Sequence, residues 1–369
     1  MESTRTLHDL GQSIWLDNIT RGLLTSGTLR RYVDEYSVTG LTSNPTIFDQ
    51  AIGSAAAADY DAAIQRKAGE GKSGEALFFE LAIEDLRQAA DLFRPVFEAT
   101  GGIDGWASLE LSPLLASDTA GSSKAAVALH AQTGRPNIFI KIPGTPEGIP
   151  AIEAAIFAGV PVNVTLLFSR EQYLDAAEAY IRGIERRIAA GLDPRIASVA
   201  SIFVSRWDVA IKDKVPAALR NRLGIAIAMR TYKAYRDLLA APRWQALARN
   251  GAPAQRLLWA STGTKDPAAS ASLYVEALAA PDTINTMPEK TLLAFAAHGA
   301  VAHTLPADGG DAEQVLAEFR REGIDDAALA ADLQRDGAAA FTKSWGELMR
   351  RIAEKSQTLA AAGHEVARR

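Results

Sequence analysis

Strand and helix alternate eight times along the sequence, and this rhythm predicts an α/β fold: a (β/α)8 TIM barrel with extra N- and C-terminal helices. Three observations carry the expectation. Eight short apolar or alternating runs recur between Ser13 and Pro288. The stretches between them are rich in Ala, Leu, Glu and Arg at helical spacing. No dinucleotide fingerprint argues for an open doubly wound sheet, and strict βα alternation implies parallel strands, eight of which suit closure.

Taken in order, the strands are expected at Ser13 to Asp17, Ser37 to Asn44, Trp106 to Ser112, Asn137 to Pro143, Val160 to Leu166, Ala197 to Phe203, Arg256 to Thr262 and Thr283 to Pro288. Glu75 to Phe93, Glu171 to Ala190 and Asp208 to Leu239 read as helical. Two blocks fall outside the eight units: a small helix with a Gly-rich loop from Gln50 to Ser73, and a charged helical block from Asp311 to Arg369. The position of the second block, after the eighth strand, suggests packing across the barrel mouth. With no Pro/Ser-rich linker and no internal repeat, a single domain over residues 1–369 is expected.

Composition narrows the function classes. With 48% hydrophobic and 22% charged residues, the chain of 369 residues can bury a large core. Thirty-nine Lys and Arg against 44 Asp and Glu leave a net charge of -5, so no global positive field gathers nucleic acid. Cysteine is absent, which removes disulfides, thiolate zinc sites and a cysteine nucleophile. The polar stretch from Met1 to Gln12 is no export signal, and Pro161 and His298 interrupt the best apolar windows, so no membrane span and a cytoplasmic protein are expected. The five histidines, His8, His130, His298, His303 and His364, form no ligand motif, and no metal is expected. Gly71-Lys72-Ser73 resembles the end of a P-loop but lacks the upstream glycine and strand, and reads as a flexible loop.

Chemistry concentrates at the strand ends. In Asn137-Ile138-Phe139-Ile140-Lys141-Ile142-Pro143 the isoleucines share one face and Lys141 lies on the other, within a strand buried on both sides. Burial disfavours an ammonium, and the neutral amine is the nucleophile that makes Schiff bases with carbonyls. Lys141 could equally snorkel or form a buried ion pair. Other strands shift the balance: Glu110 joins Ser108 and Ser112 on a polar face, Asn163 and Thr165 oppose valines, Thr42 and Asn44 share a face, and Asp17 ends the first strand. Each alone has a structural reading, with Asp17 capping a helix, Asn44-Pro45 making a turn and Thr165 bonding a carbonyl. Five strands delivering polar groups to one end match the place where barrel enzymes carry their chemistry. Ser201, Phe203 and Arg206, with the loop Ser261-Thr262-Gly263-Thr264-Lys265, suggest a phosphate pocket.

Three segments, Gly40-Leu41-Thr42-Ser43-Asn44-Pro45-Thr46-Ile47-Phe48, Ile140-Lys141-Ile142-Pro143 and Asn163-Val164-Thr165-Leu166-Leu167-Phe168-Ser169, resemble transaldolase signatures. The resemblance runs from Asp17 to about His298, in the longer bacterial form of the family. It implies a barrel of the Schiff-base aldolase group that uses no metal or organic cofactor. The implied reaction, in the non-oxidative pentose phosphate pathway, moves a dihydroxyacetone unit from sedoheptulose 7-phosphate to glyceraldehyde 3-phosphate, giving erythrose 4-phosphate and fructose 6-phosphate. By the same resemblance Lys141 is the Schiff-base lysine, Glu110 and Thr165 hold a water for proton transfer, and Asp17 is the base at the C4 hydroxyl. Asn44 and Asn163 would hold donor hydroxyls; Ser201 and Arg206 would hold phosphate. Phe203 keeps the family's aromatic position, and Lys265 stands near where many members carry an arginine. Small sugar phosphates are the implied partners, without nucleic acid or membrane, and a homodimer is the assembly to test. Two alternatives stay open: a fructose-6-phosphate aldolase, for which this chain is long and lacks the tyrosine at Phe203, and a barrel that binds sugar phosphates without catalysis.

Overall fold

Parallel pairing between consecutive strands, completed by pairing of the first with the last, closes the sheet in a computed structural model that describes residues 2–53 and 58–366. The strands are β1 (Gln12–Asp17), β2 (Val38–Thr42), β3 (Trp106–Glu110), β4 (Ile138–Pro143), β5 (Val162–Leu167), β6 (Ser198–Phe203), β7 (Arg256–Ala260) and β8 (Thr283–Met287). Around them run α1 (Glu2–Asp9), α2 (Arg21–Thr25), α3 (Thr28–Tyr36), α4 (Pro45–Gly53), α5 (Ala58–Gly69), α6 (Gly74–Ala99), α7 (Thr119–Thr133) and α8 (Gly148–Phe157). The second half carries α9 (Arg170–Ala189), α10 (Ser205–Ile211), α11 (Leu223–Ala240), α12 (Pro242–Arg249), α13 (Leu273–Ala277), α14 (Glu289–His298), α15 (Ala312–Arg321) and α16 (Asp326–Val366). No described helix is long and apolar enough to cross a membrane.

Each strand is buried on both faces, as a barrel wall under helices must be. Outward residues such as Ile14, Leu16, Ile138, Ile140, Ile142, Val162 and Val164 form one core with the helices. Inward Trp15, Trp106, Phe139, Val199, Leu258 and Ile284 fill the N-terminal half of the barrel, where the Trp106 and Phe139 rings stack with centroids 4.0 Å apart. Gly40 makes that filling possible: a Cβ there would lie 2.7 Å from the Trp15 indole and from the Trp106 carbonyl oxygen. The apolar plug leaves the C-terminal half of the interior to the polar residues of the strand ends.

All eight expected strands are present, with shifted ends that have local causes. β2 starts after Ser37, whose φ of 56° ends α3, and stops at Thr42 because Asn44 already caps α4. β7 stops before Ser261, which has φ 57°. The single helix expected from Asp208 to Leu239 is corrected to two, α10 and α11, separated by a segment holding Pro216 and a 3-10 turn at Ala217–Leu219. Asp208 closes the break, accepting hydrogen bonds from Leu223 N at 3.0 Å and Gly224 N at 3.2 Å at the start of α11. The block at 50–73 contains the end of α4, α5 and the loop before α6, so Gly71-Lys72-Ser73 is indeed loop; residues 54–57 of this block lie outside the described residues. The block at 311–369 forms α15 and α16; its residues 367–369 and the side chain of His364 lie outside them as well. Helix α16 packs on α4, α5, α6 and the end of β5, which brings it over the C-terminal mouth.

Candidate active site

Sheet register sets the first contacts. Glu110 of β3 is paired with Lys141 of β4, Lys141 with Asn163 of β5, and Asp17 of β1 with Thr42 of β2. Inward side chains at paired positions meet, and they do here. Lys141 Nζ donates to Glu110 Oε2 at 2.8 Å and to the Ser43 carbonyl at 2.9 Å. Thr42 Oγ1 donates to Asp17 Oδ1 at 2.8 Å and lies 2.8 Å from the Thr286 hydroxyl.

The Lys141 and Glu110 side chains are only 6% and 5% exposed. Stability does not account for such a pair, because packed apolar replacements of buried ion pairs are often neutral or more stable by about 1–4 kcal/mol. Nor is the pair sealed: Lys141 lines a cavity of about 120 Å³ at the C-terminal mouth. Eight of the ten expected site residues line it, namely Asp17, Asn44, Lys141, Thr165, Ser201, Phe203, Arg206 and Lys265. The other two, Glu110 and Asn163, contact residues that do. Glu110 holds Lys141, while Asn163, fully buried, accepts from Ser201 Oγ at 2.7 Å and donates to Ser108 Oγ at 3.2 Å.

Burial pushes the Asp17 carboxyl above its ordinary range, against the opposing pull of Lys141, the Thr42 hydrogen bond, Lys265 and Arg206. The Glu110 carboxyl is pushed up in the same way, with Lys141 as the main opposing charge. Both acids are therefore held closer to proton exchange than surface carboxylates are.

Local geometry separates the structural readings from the chemical ones. Thr20, not Asp17, caps α2, accepting from Leu23 N at 3.0 Å. Asn44 serves twice: its Oδ1 accepts from Ile47 N at 3.0 Å at the start of α4, and the residue also lines the cavity. The Thr165 hydroxyl is buried with no hydrogen-bond partner among the described residues, so it bonds no carbonyl. Leaving such a group unsatisfied costs about 1–3 kcal/mol, which suits a partner supplied by solvent or substrate.

Arg206 lines the same cavity and forms no ion pair with the described residues. Its guanidinium faces two rings, 4.9 Å from the Phe203 centroid and 5.7 Å from that of Phe341. Burial lowers its pKa, opposed by Glu110 and Asp17. The loops after β6 and β7 are joined by Ser205 N donating to the Ser261 carbonyl at 3.1 Å and by their hydroxyls at 2.9 Å. Exposed Lys265 is thereby kept on the rim of the cavity that Arg206 lines. Thr286 and Phe341 also line it, and neither is among the residues the sequence selects. The β8 run Thr283-Ile284-Asn285-Thr286 is polar on both faces, so alternation alone does not select Thr286, and Phe341 comes from α16. A larger hollow of about 630 Å³ lies at the N-terminal end around Arg256 and Asp104, but no lysine lines it.

A family model described as Transaldolase/Fructose-6-phosphate aldolase matches residues 14–352, from within β1 through the rest of the barrel and most of α16. The chain belongs to that family. Among similar relatives of this family member is the transaldolase of Saccharopolyspora erythraea, 44% identical over 95% of this chain and 96% of that protein. The transaldolase of Arthrobacter sp. (strain FB24) is 44% identical over 94% and 95%, and transaldolase 2 of Nostoc sp. is 39% identical over 96% and 97%. The cavity thus sits in a transaldolase-family barrel at the mouth where such barrels carry their chemistry.

Proposed function

We propose that the protein is a transaldolase that moves a dihydroxyacetone unit from sedoheptulose 7-phosphate to glyceraldehyde 3-phosphate through a Schiff base on Lys141. The observation that carries the reading is a buried lysine on a carboxylate partner, opening into a cavity that is also lined by a second carboxyl, Asp17, and by the Arg206 guanidinium, which forms no ion pair with the described residues. The donor's C2 carbonyl is attacked by the Lys141 amine after its proton passes to Glu110, whose raised pKa suits acceptance. Glu110 and Thr165 hold the water that returns a proton to the departing hydroxyl as the carbinolamine becomes an imine. Asp17 takes the C4 hydroxyl proton, the C3–C4 bond breaks, the aldose phosphate leaves, and the bonding electrons stay as an enamine on Lys141. Attack of the enamine on the acceptor aldehyde, with Asp17 returning the proton, forms the new ketose, and hydrolysis frees Lys141. Asn44 orients the donor hydroxyls, with Asn163 holding Ser201 in place. Ser201, Arg206 and Lys265 take the phosphate. The enzyme is taken to act in the cytoplasm, in keeping with a cysteine-free chain, and as a homodimer, which sedimentation velocity checks.

Product analysis tests the function directly. Sedoheptulose 7-phosphate with glyceraldehyde 3-phosphate is expected to give erythrose 4-phosphate and fructose 6-phosphate in equal amounts with little free dihydroxyacetone. Dihydroxyacetone as the main product would indicate an aldolase. Phe203 bears on this choice, since its ring places no proton donor in the cavity. Phe203→Tyr is expected to raise the ratio of dihydroxyacetone release to transfer, because a phenol can protonate the enamine. An unchanged ratio would remove Phe203 from this role.

Arg206→Ala is expected to weaken kcat/KM for phosphorylated donors by roughly 2 to 5 kcal/mol, with a much smaller loss for free dihydroxyacetone as donor. Lys265→Ala should cost less and lose its effect as salt rises, because an exposed ammonium is screened. Equal losses of both donor types in Arg206→Ala would place the phosphate elsewhere.

A further inference from the structure

Thr165 sits at a break in the barrel ladder. The pairing of β5 with β6 runs regularly to Val164↔Ala200 and resumes at Leu167↔Ile202, three residues on one strand against two on the other. The extra residue is accommodated by Leu166, which has φ 59°, a left-handed conformation that a leucine rarely adopts and that neighbours must hold in place. The direction of the Thr165 side chain depends on that bulge.

What holds it comes from the far end of the chain. Gln334 of α16 donates from Nε2 to the Leu166 carbonyl at 2.9 Å and to the Gly144 carbonyl at 2.9 Å. Gly144 in turn donates its N–H to the Thr165 carbonyl at 2.8 Å. One primary amide therefore ties both ends of a short circuit around Thr165: the bulge that follows it and the β4 exit that bonds its peptide. The helix can lie this close because its next turn carries Gly337, where a Cβ would come within 3.0 Å of both Leu166 Cδ2 and Arg206 Nη1.

We propose that Gln334 is a positioning residue for the Schiff-base steps, fixing the Thr165 hydroxyl by clamping the Leu166 bulge to the β4 exit. The inference rests on the reading of Thr165 as a partner of Glu110 in proton transfer. Gln334 does not line the cavity, and its amide donates to main-chain carbonyls, so its effect passes through backbone.

Five proteins test it: wild type, Thr165→Ala, Gln334→Met, the double variant and Gln334→Lys. Methionine keeps the length of glutamine and removes both donated hydrogen bonds. Each would be assayed for kcat and KM with fructose 6-phosphate as donor and erythrose 4-phosphate as acceptor. The rate of forming the borohydride-trappable adduct and the midpoint of thermal unfolding would complete the set. Gln334→Met is expected to lower kcat and the adduct rate by about 10- to 100-fold, the scale of a small misplacement of a reacting group, with donor KM changed less than about 3-fold. In the Thr165→Ala background the same change should cost less than about 2-fold, because the group being positioned is gone. Gln334→Lys, which restores donors at similar reach, should recover part of the rate lost in Gln334→Met. Full, multiplicative losses in the double variant, a loss confined to KM, or a Gln334→Met enzyme at wild-type rate would overturn the inference while leaving Thr165 in its role. Thr165→Ala at wild-type rate would overturn the reading of Thr165 and the clamp with it.

Discussion

Lys141→Arg is expected to lose transfer activity by on the order of 10⁴-fold or more and to lose the borohydride-trapped donor adduct at the same time. Arginine is the informative replacement because it keeps a cation beside Glu110. Deleting the charge would leave a buried carboxyl unpaired, at a cost of about 3–5 kcal/mol in stability, and would confuse lost chemistry with lost fold. A guanidinium stays protonated at any pH the protein tolerates and cannot attack a carbonyl. The unfolding midpoint should therefore stay within a few degrees of wild type. Residual transfer within tenfold of wild type would move the nucleophile to another group.

The second large effect is expected at Asp17, and it differs in kind. Asp17→Ala should reduce transfer by about 10²- to 10⁴-fold, the usual worth of a positioned general base, while imine formation continues. With fructose 6-phosphate and borohydride the variant should accumulate the adduct of the intact ketose phosphate, whereas wild type accumulates the three-carbon unit left after cleavage, reduced once the enamine takes a proton on carbon and becomes an iminium. A variant that traps neither would place Asp17 before bond cleavage or in the fold. pH sharpens the test. Burial raises the Asp17 and Glu110 pKa values, so each carboxyl is charged only at higher pH than an ordinary carboxylate. Activity that needs them ionised should fall on the acid side at pH values above the ordinary carboxylate range. The acid limb should be steeper in wild type than in the residual activity of Asp17→Ala, which has one fewer group to ionise.

The barrel was legible because its constraint repeats. A wall strand needs apolar residues outward and a mixture inward, and Ile138-Phe139-Ile140-Lys141-Ile142 states this in five residues. The same logic exposed Lys141 and Glu110, since charges on strands buried on both sides need a reason to be there. Strand ends were less legible, because positive φ at Ser37 and Ser261 is decided by tertiary packing. The break between α10 and α11 had a signal in Pro216 that the helical composition around it outweighed. Asn44 shows a limit of either-or readings: the turn and the site share one side chain. Gln334 and Phe341 were beyond sequence reach altogether. They lie in a charged helical block more than 40 residues past β8, and nothing local in that block ties an amide there to a bulge in β5. Such contacts exist only once α16 has crossed the mouth.

In this mechanism the buried lysine of β4 becomes covalently bonded to the donor. Reduction of the wild-type protein with borohydride in the presence of fructose 6-phosphate, followed by intact mass and peptide mapping, tests it in one step. The predicted result is a single stable adduct carrying the three-carbon unit, located on the peptide that contains Lys141. An unmodified protein, or an adduct mapped to Lys265 or any other lysine, would contradict it.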